Sequence, residues 1–223
     1  MRGLSMAMTL QNVAKGTVRA KGIPPCVFNG NVFSDGNGCI AGFTSTASSL
    51  LPLKQDPASA KDYPEFLFSH SYLIQAKVFL SADMARDQVL WGSQVYPFYA
   101  VPSVEVQGSS PGDDHAIWAG HASASGGWPQ QLRIAREDFD PVGQWSYIRQ
   151  SYKDGTFTLA ASHDAIRWVK SQLENVDPFY KDSTGEFGIG NLIVGGTYAN
   201  NVKFDMQETF VVVDDALVWG AGY

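Results

Sequence analysis

The sequence predicts an all-β chain, a two-sheet antiparallel β-sandwich preceded by an extended N-terminal arm. Three observations lead there. Short apolar or alternating runs are separated by turn residues at close, regular intervals, the rhythm of a sandwich or barrel. Aromatic residues are abundant, 6 Trp, 9 Tyr and 13 Phe, and they suit a pleated, half-buried surface. Helix-forming stretches are few: only SADMARDQ (81–88) and RWVKSQLENV (167–176) have the composition, and each is enough for a turn or so within a connection.

Residues 1–25 are small and polar, with Lys-Gly at 15–16 and 21–22 and a stiff stop at Pro24-Pro25. They read as an anchoring or oligomerising arm, leaving 26–223 as one sandwich domain. From Val27 the pattern becomes strand-like: VFNGNVF is centred on Asn29-Gly30, SDGNG (34–38) is a turn, and CIAGF leads out of it. Cys26 and Cys39 flank this region, either as small buried residues or as a disulfide that a hairpin would close. Residues 45–65 are loop-rich, because Pro52, Pro57 and Pro64 bar a regular helix or central strand. The run FLFSHSYLIQAKVFL (66–80) is the most apolar of its length and predicts a central strand or a pair. Residues 88–107 and HAIWAGH (115–121) follow as strands around the turn-rich GSSPGDD (108–114), and QQLRIARED (130–138) leads into the turn DPVGQ (140–144).

The last third is the clearest. Alternation through Trp145, Tyr147, Ile148 and Tyr152 meets Lys153-Asp154-Gly155 and resumes at Phe157 and Leu159. Asp-Gly between two such runs marks a hairpin, since Gly accepts the positive φ of a primed turn. Gly195-Gly196, Asn200-Asn201 and Asp214-Asp215 punctuate the closing strands.

The 223 residues suit one large domain. Hydrophobic residues at 44% against 17% charged supply a sizeable core and exclude global disorder. A net charge of −6, with the densest basic grouping only Lys15, Arg19 and Lys21, argues against nucleic acid as a partner. The stretch MRGLSMAMTLQNVAKG has no apolar run of signal-peptide type, and no segment approaches the roughly 20 apolar residues of a membrane span. Neither export by a signal peptide nor membrane insertion is expected.

The stretch WSYIRQSYKDGTFTLAASHDAIRW (145–168) resembles the paired-strand core of concanavalin A-like lectin/glucanase domains of the laminin-G-like jelly-roll type. KFDMQETFVVVDDALVWGA is similar to the closing motif of such domains in structural proteins of tailed bacteriophages. Asp205, Thr209, Phe210, Val211, Val213, Leu217 and Trp219 fall on that motif's positions. Two features depart from it: Asn201-Val202-Lys203-Phe204 stands where the family has Gly-Ser-Ile before Asp205, and Asp214-Asp215 replaces Asn-Gly. The turn survives the second change because Asp tolerates the left-handed region better than most residues.

The resemblance implies a non-enzymatic virion structural protein, such as a tail fibre, baseplate or head decoration, that adheres to host surface glycans. Its partners would be other virion proteins, further copies of itself and a host cell-surface polysaccharide. It would be made in the host cytoplasm and located in the virion. The alternatives are a glycan-degrading enzyme on the same fold and a cellular carbohydrate-binding module.

Catalysis is not expected, since the laminarinase-like members of the fold carry E-x-D-x-x-E on one strand and this chain has no such string. Glu137-Asp138-Phe139-Asp140 precedes a turn, and Asp205 to Glu208 is wrongly spaced. No Gly-x-Ser-x-Gly elbow accompanies the four His residues, and His163-Asp164 reads as turn chemistry before it reads as a metal pair. No cofactor is expected; a structural calcium would take its oxygens from Asp-rich turns, with Asp113 and Asp114 as candidate ligands. Carbohydrate binding by aromatic stacking points to Trp118, His121 and Trp128 around the Ser/Gly-rich loop, while Trp145, Trp168 and Trp219 are assigned to the core.

Overall fold

The computed structural model of the chain describes residues 17–18, 26–29, 32–34, 40–43, 49–51, 71–82, 88–93, 102–108, 115–121, 130–178, 187–190 and 204–221. Among them every regular element is a strand, and the strands form two antiparallel sheets. The first sheet runs β1 (Thr17–Val18), β2 (Cys26–Asn29), β5 (Ser49–Leu51), β14 (Phe187–Gly190), β7 (Gln88–Ser93), β8 (Ser103–Val106), β9 (Ile117–His121), β10 (Gln130–Ile134). The second runs β13 (Val169–Leu173), β12 (Thr156–Ser162), β11 (Trp145–Lys153), β6 (Tyr72–Leu80), β15 (Phe204–Val213), β4 (Ile40–Phe43), β3 (Val32–Ser34), with β16 (Ala216–Ala221) also paired to β15. The two-sheet sandwich that the turn spacing predicts is the architecture found. No helix among the described residues is long and apolar enough to cross a membrane.

The apolar run around β6 becomes the central strand of the second sheet, between β11 and β15. Its Tyr72, Ile74, Ala76, Val78 and Leu80 are buried at the interface of the sheets, and from β11 and β12 come Ile148, Tyr152, Phe157 and Leu159. The first sheet contributes Leu90, Trp91, Val104, Ile117 and Ala119. Gln150 ties the layers together: the Trp91 indole N–H donates to Gln150 Oε1 at 2.8 Å, and Gln150 Nε2 donates to the Gly120 carbonyl at 2.8 Å. All polar atoms of Gln150 are thus satisfied inside an apolar core, as burial demands.

The two hairpins of the last third form as predicted. Asp154 (φ 49°) and Gly155 (φ 79°) turn β11 into β12, and Asp214 (φ 47°) and Asp215 (φ 61°) turn β15 into β16. Both residues of each turn are left-handed, the signature of a type I′ turn.

One local reading changes, and two pairings add detail. The helix candidate at 167–176 is strand β13, which pairs with β12 from Phe157↔Leu173 to Ala161↔Val169. Lys, Gln, Leu and Glu favour a helix in isolation, but an adjacent strand edge with open hydrogen-bonding groups outweighs a propensity of tenths of a kcal/mol per residue. Within VFNGNVF, β2 belongs to the first sheet and β3 to the second, so the chain changes layers between Asn29 and Val32. Thr17–Val18, inside the segment read as an arm, pairs with β2. Cys39 lies outside the described residues.

Candidate functional site

On an antiparallel pair, directly opposed residues share a face, and along each strand alternate residues do. Strand β11 sends Ser146, Ile148 and Gln150 inward, so Trp145, Tyr147 and Arg149 face out. On β6 the partners of those three are Phe79, Lys77 and Gln75. The outer face of the second sheet is therefore tiled by three rows, Trp145–Phe79, Tyr147–Lys77 and Arg149–Gln75. From Phe79 to Gln75 the strip is about 13 Å long at the usual rise per residue of a strand.

Arg149 is the organising residue. Its Nε and Nη2 both donate to Gln75 Oε1, at 2.9 and 2.6 Å, and its guanidinium lies 4.2 Å from the ring centroid of Trp168. Trp168 enters from the connection between β12 and β13 and is held by its own indole N–H, which donates to the Ala165 carbonyl at 3.1 Å. Partial burial lowers the Arg149 pKa, yet an arginine remains a cation at any relevant pH.

Lys77 occupies the neighbouring row. Its ammonium lies 3.3 Å from Glu208 Oε1, 5.4 Å from the Tyr147 ring centroid and 5.8 Å from that of Trp145. Burial acts to lower its pKa, but the Glu208 carboxylate and then the Tyr147 phenol outweigh that and raise it. Glu208 reaches this position through a β-bulge: the register of β15 on β6 slips between Gln207 and Phe210, and Glu208 takes φ 45°. A non-glycine residue held left-handed in mid-strand is strained, a conformation that tends to be kept where a side chain must be re-aimed.

The face thus presents two cations, a phenol and flat aromatic rings in one strip, with the Gln75 amide buried against Arg149. Rings of this kind stack on the C–H faces of sugars, while amide and charged groups fix orientation through hydrogen bonds. The adjacent Tyr147 and Lys77 also place a group able to exchange a proton beside a positive charge.

The residues singled out from sequence fall elsewhere. Trp118 and His121 both lie on β9, but three positions apart, so they point to opposite faces. Trp118 is on the outer face of the first sheet, 5.7 Å from the Arg133 guanidinium. His121 is fully buried between the sheets, with Tyr152 4.9 Å and Phe157 5.1 Å away, centroid to centroid. The Tyr72 hydroxyl donates to His121 Nδ1 at 2.9 Å, and Nε2 donates to the Asp177 carbonyl at 2.9 Å. Burial lowers its pKa to about 4, so the ring is neutral and no surface ligand meets it. Trp128, Asp113 and Asp114 lie outside the described residues.

His163 and Asp164 are turn residues, as their sequence suggests: Asp164 Oδ1 accepts from the backbone N–H groups of Ile166 and Arg167, both at 2.8 Å, and His163 stacks on Phe139 at 4.1 Å. Among the described residues no group of His, Cys, Asp and Glu is arranged to hold a metal ion. Trp145 and Trp168, assigned to the core by sequence, sit half-buried at the outer face instead. A signal for this was present: Gln75 and Lys77 stand at alternate positions in an otherwise apolar central strand, and Tyr147 and Arg149 alternate opposite them.

No protein-family model matches the sequence, and no curated protein matches it. Solved structures share the fold. The binding domain of botulinum neurotoxin serotype D is similar over 84% of this chain and 43% of its own, with a TM-score of 0.54 and 8% identity. The enzymatically active domain of tailspike protein 2 from bacteriophage CBA120 is similar over 97% of this chain and 34% of its own, with a TM-score of 0.51 and 12% identity. The alginate lyase from Klebsiella pneumoniae is similar over 64% of this chain and 60% of its own, with a TM-score of 0.45 and 10% identity. The chain thus spans less than two thirds of the length of each.

The fold these structures share with the chain is a two-sheet antiparallel jelly-roll β-sandwich. The expectation of a non-enzymatic chain is corrected here. The enzymatically active tailspike domain, similar over 97% of this chain, shows that an enzyme is built on this fold, so the fold gives no ground for excluding catalysis. The missing E-x-D-x-x-E string removes one hydrolytic chemistry only.

Proposed function

We propose that this chain acts on polysaccharide, binding a glycan along the outer face of the second sheet and cleaving it there. The observation that carries this reading is the strip formed by Gln75, Lys77, Tyr147 and Arg149 between Trp145 and Trp168. A face built only for solubility has no need to stack a guanidinium on an indole, or to strain a backbone so that a carboxylate reaches a lysine. Tyr147, beside the Lys77 ammonium, is the group placed to move a proton, and Arg149, oriented by the buried Gln75, is placed to hold the sugar.

The test is to incubate the purified chain with a panel of bacterial capsular and other polysaccharides and follow new chain ends and polymer size. Shortening of one polymer or a few is expected, abolished by Tyr147→Phe. If no polymer is retained and none is shortened, the reading fails; retention without shortening removes its cleavage half. A virus particle is the setting we favour, supported by the closing-motif resemblance and by the likeness to a tailspike domain over nearly the whole chain. Neighbouring genes for portal, capsid or tail proteins would support that setting, and a cellular polysaccharide-utilisation cluster would overturn it.

A further inference from the structure

We infer that the glycan is an acidic one, a polyuronate whose carboxylates are met by Arg149 with Lys77 alongside; this rests on the outer face of the second sheet being the glycan site. The argument begins with the company Arg149 keeps. A half-buried cation in the middle of a sheet is normally compensated by a carboxylate. Here its cross-strand partner is the neutral amide of Gln75 and its stacking partner is the Trp168 indole, and among the described residues no carboxylate pairs with it. Glutamate at position 75 would fit the same geometry and quench the charge. The amide orients the guanidinium fork and leaves its charge available.

The hydrogen bonds point the same way. Gln75 engages Nε and Nη2, so Nη1 is left without a partner among the described residues. A guanidinium edge presents paired N–H donors in a plane, which matches the two oxygens of a carboxylate. Lys77 stands one row along, about 7 Å away at the rise of a strand, and its pairing with Glu208 is only partly shielded from solvent. A polymer carrying a charge on each ring could therefore meet Arg149 with one sugar and approach Lys77 with the next.

Charge also discriminates against the alternative. Seating a neutral sugar over Arg149 would strip water from a cation and return nothing ionic, and the desolvation of such a group is costly unless it is paired. The chain as a whole carries −6. On a chain that is acidic overall, Arg149 with Lys77 alongside therefore gives a polyanion a local point of attraction.

The experiment measures equilibrium binding of the full chain, by calorimetry and affinity electrophoresis, to alginate, polygalacturonate and hyaluronan, each beside its carboxyl-reduced form. Dextran sulfate is the sulfate arm. At least one polyuronate is expected to bind, and reduction of its carboxylates to weaken binding by about tenfold or more, the worth of a charged hydrogen bond. Arg149→Gln should produce a similar loss, Arg149→Lys a smaller one, and added salt should weaken the wild type. Reducing the ligand requires no variant, so the comparison stands even if a substitution unfolds the chain. Equal binding of a polyuronate and its reduced form overturns the inference and leaves the glycan site standing; no binding to any of these polymers also overturns the inference, while the glycan site itself stands or falls on the wider polysaccharide panel. Preferential binding of dextran sulfate overturns the carboxylate assignment.

Discussion

A buried imidazole between two phenols is stable only when neutral. His121 accepts from the Tyr72 hydroxyl and donates to the Asp177 carbonyl, with Tyr152 stacked on it, and burial disfavours the imidazolium. Its pKa is about 4 in the folded chain against about 6.5 in an unfolded one. Between those values the unfolded state binds more protons, so the His121 contribution is complete above pH 6.5 and is lost as pH falls towards 4. The slope is at most about 1.4 kcal/mol per pH unit. Denaturant unfolding at pH 7 and pH 4.5 should show the wild type losing about 2–3 kcal/mol more than His121→Phe. Equal losses in the two proteins would sink this account. Gln150 gives a second residue-scale prediction. Gln150→Leu orphans the Trp91 N–H and the Gly120 carbonyl at once, at about 1–3 kcal/mol each, and a lowered denaturant midpoint with an unchanged slope is the expected reading.

At the scale of the element, β11 shows how a strand assigns roles by parity. Its inner residues build the core and its outer residues line the proposed site, so one alternating run, WSYIRQSY, supplies both faces. The hairpin turns were legible from Asp-Gly and Asp-Asp because left-handed pairs are available to few residues. Asp214-Asp215 is the less favourable of the two, and Asp214→Asn with Asp215→Gly should stabilise the protein by about 0.5–1 kcal/mol, read from thermal or denaturant unfolding. No gain, or a loss, would mean that the aspartates serve some further contact, such as that of Lys153 with Asp215 at 3.5 Å. Strand β13 and the bulge at Glu208 were not legible. The first has helix-forming composition and becomes a strand only because β12 offers it an edge. The second depends on a register slip against β6, which no local pattern announces.

For the whole molecule, two sheets offer two outer faces, and the choice between them is testable. Trp168 lies against Arg149 on the second sheet, and Trp118 lies on the first. Trp168→Ala is expected to weaken polysaccharide binding about fivefold, near the 1 kcal/mol typical of a partly exposed aromatic contact, while Trp118→Ala leaves it unchanged. The opposite result would return the site to β9. The Ser/Gly-rich loop drew attention to Trp118 and His121 because loops often carry function, but parity already separated the two residues onto opposite faces. Gln75, Lys77, Tyr147 and Arg149 are distant in the chain and converge only because β6 and β11 are neighbours in one sheet.

By itself the sequence determined the class of the fold, the central place of the 66–80 region and the closing hairpins, because turn chemistry and strand alternation are local properties. The tertiary structure decided which strands are neighbours, which layer each occupies and which polar residues therefore share a face. Sheet pairing is non-local: the register Arg149↔Gln75 joins residues 74 positions apart, and its free energy comes from packing and paired backbone groups that a single strand does not possess.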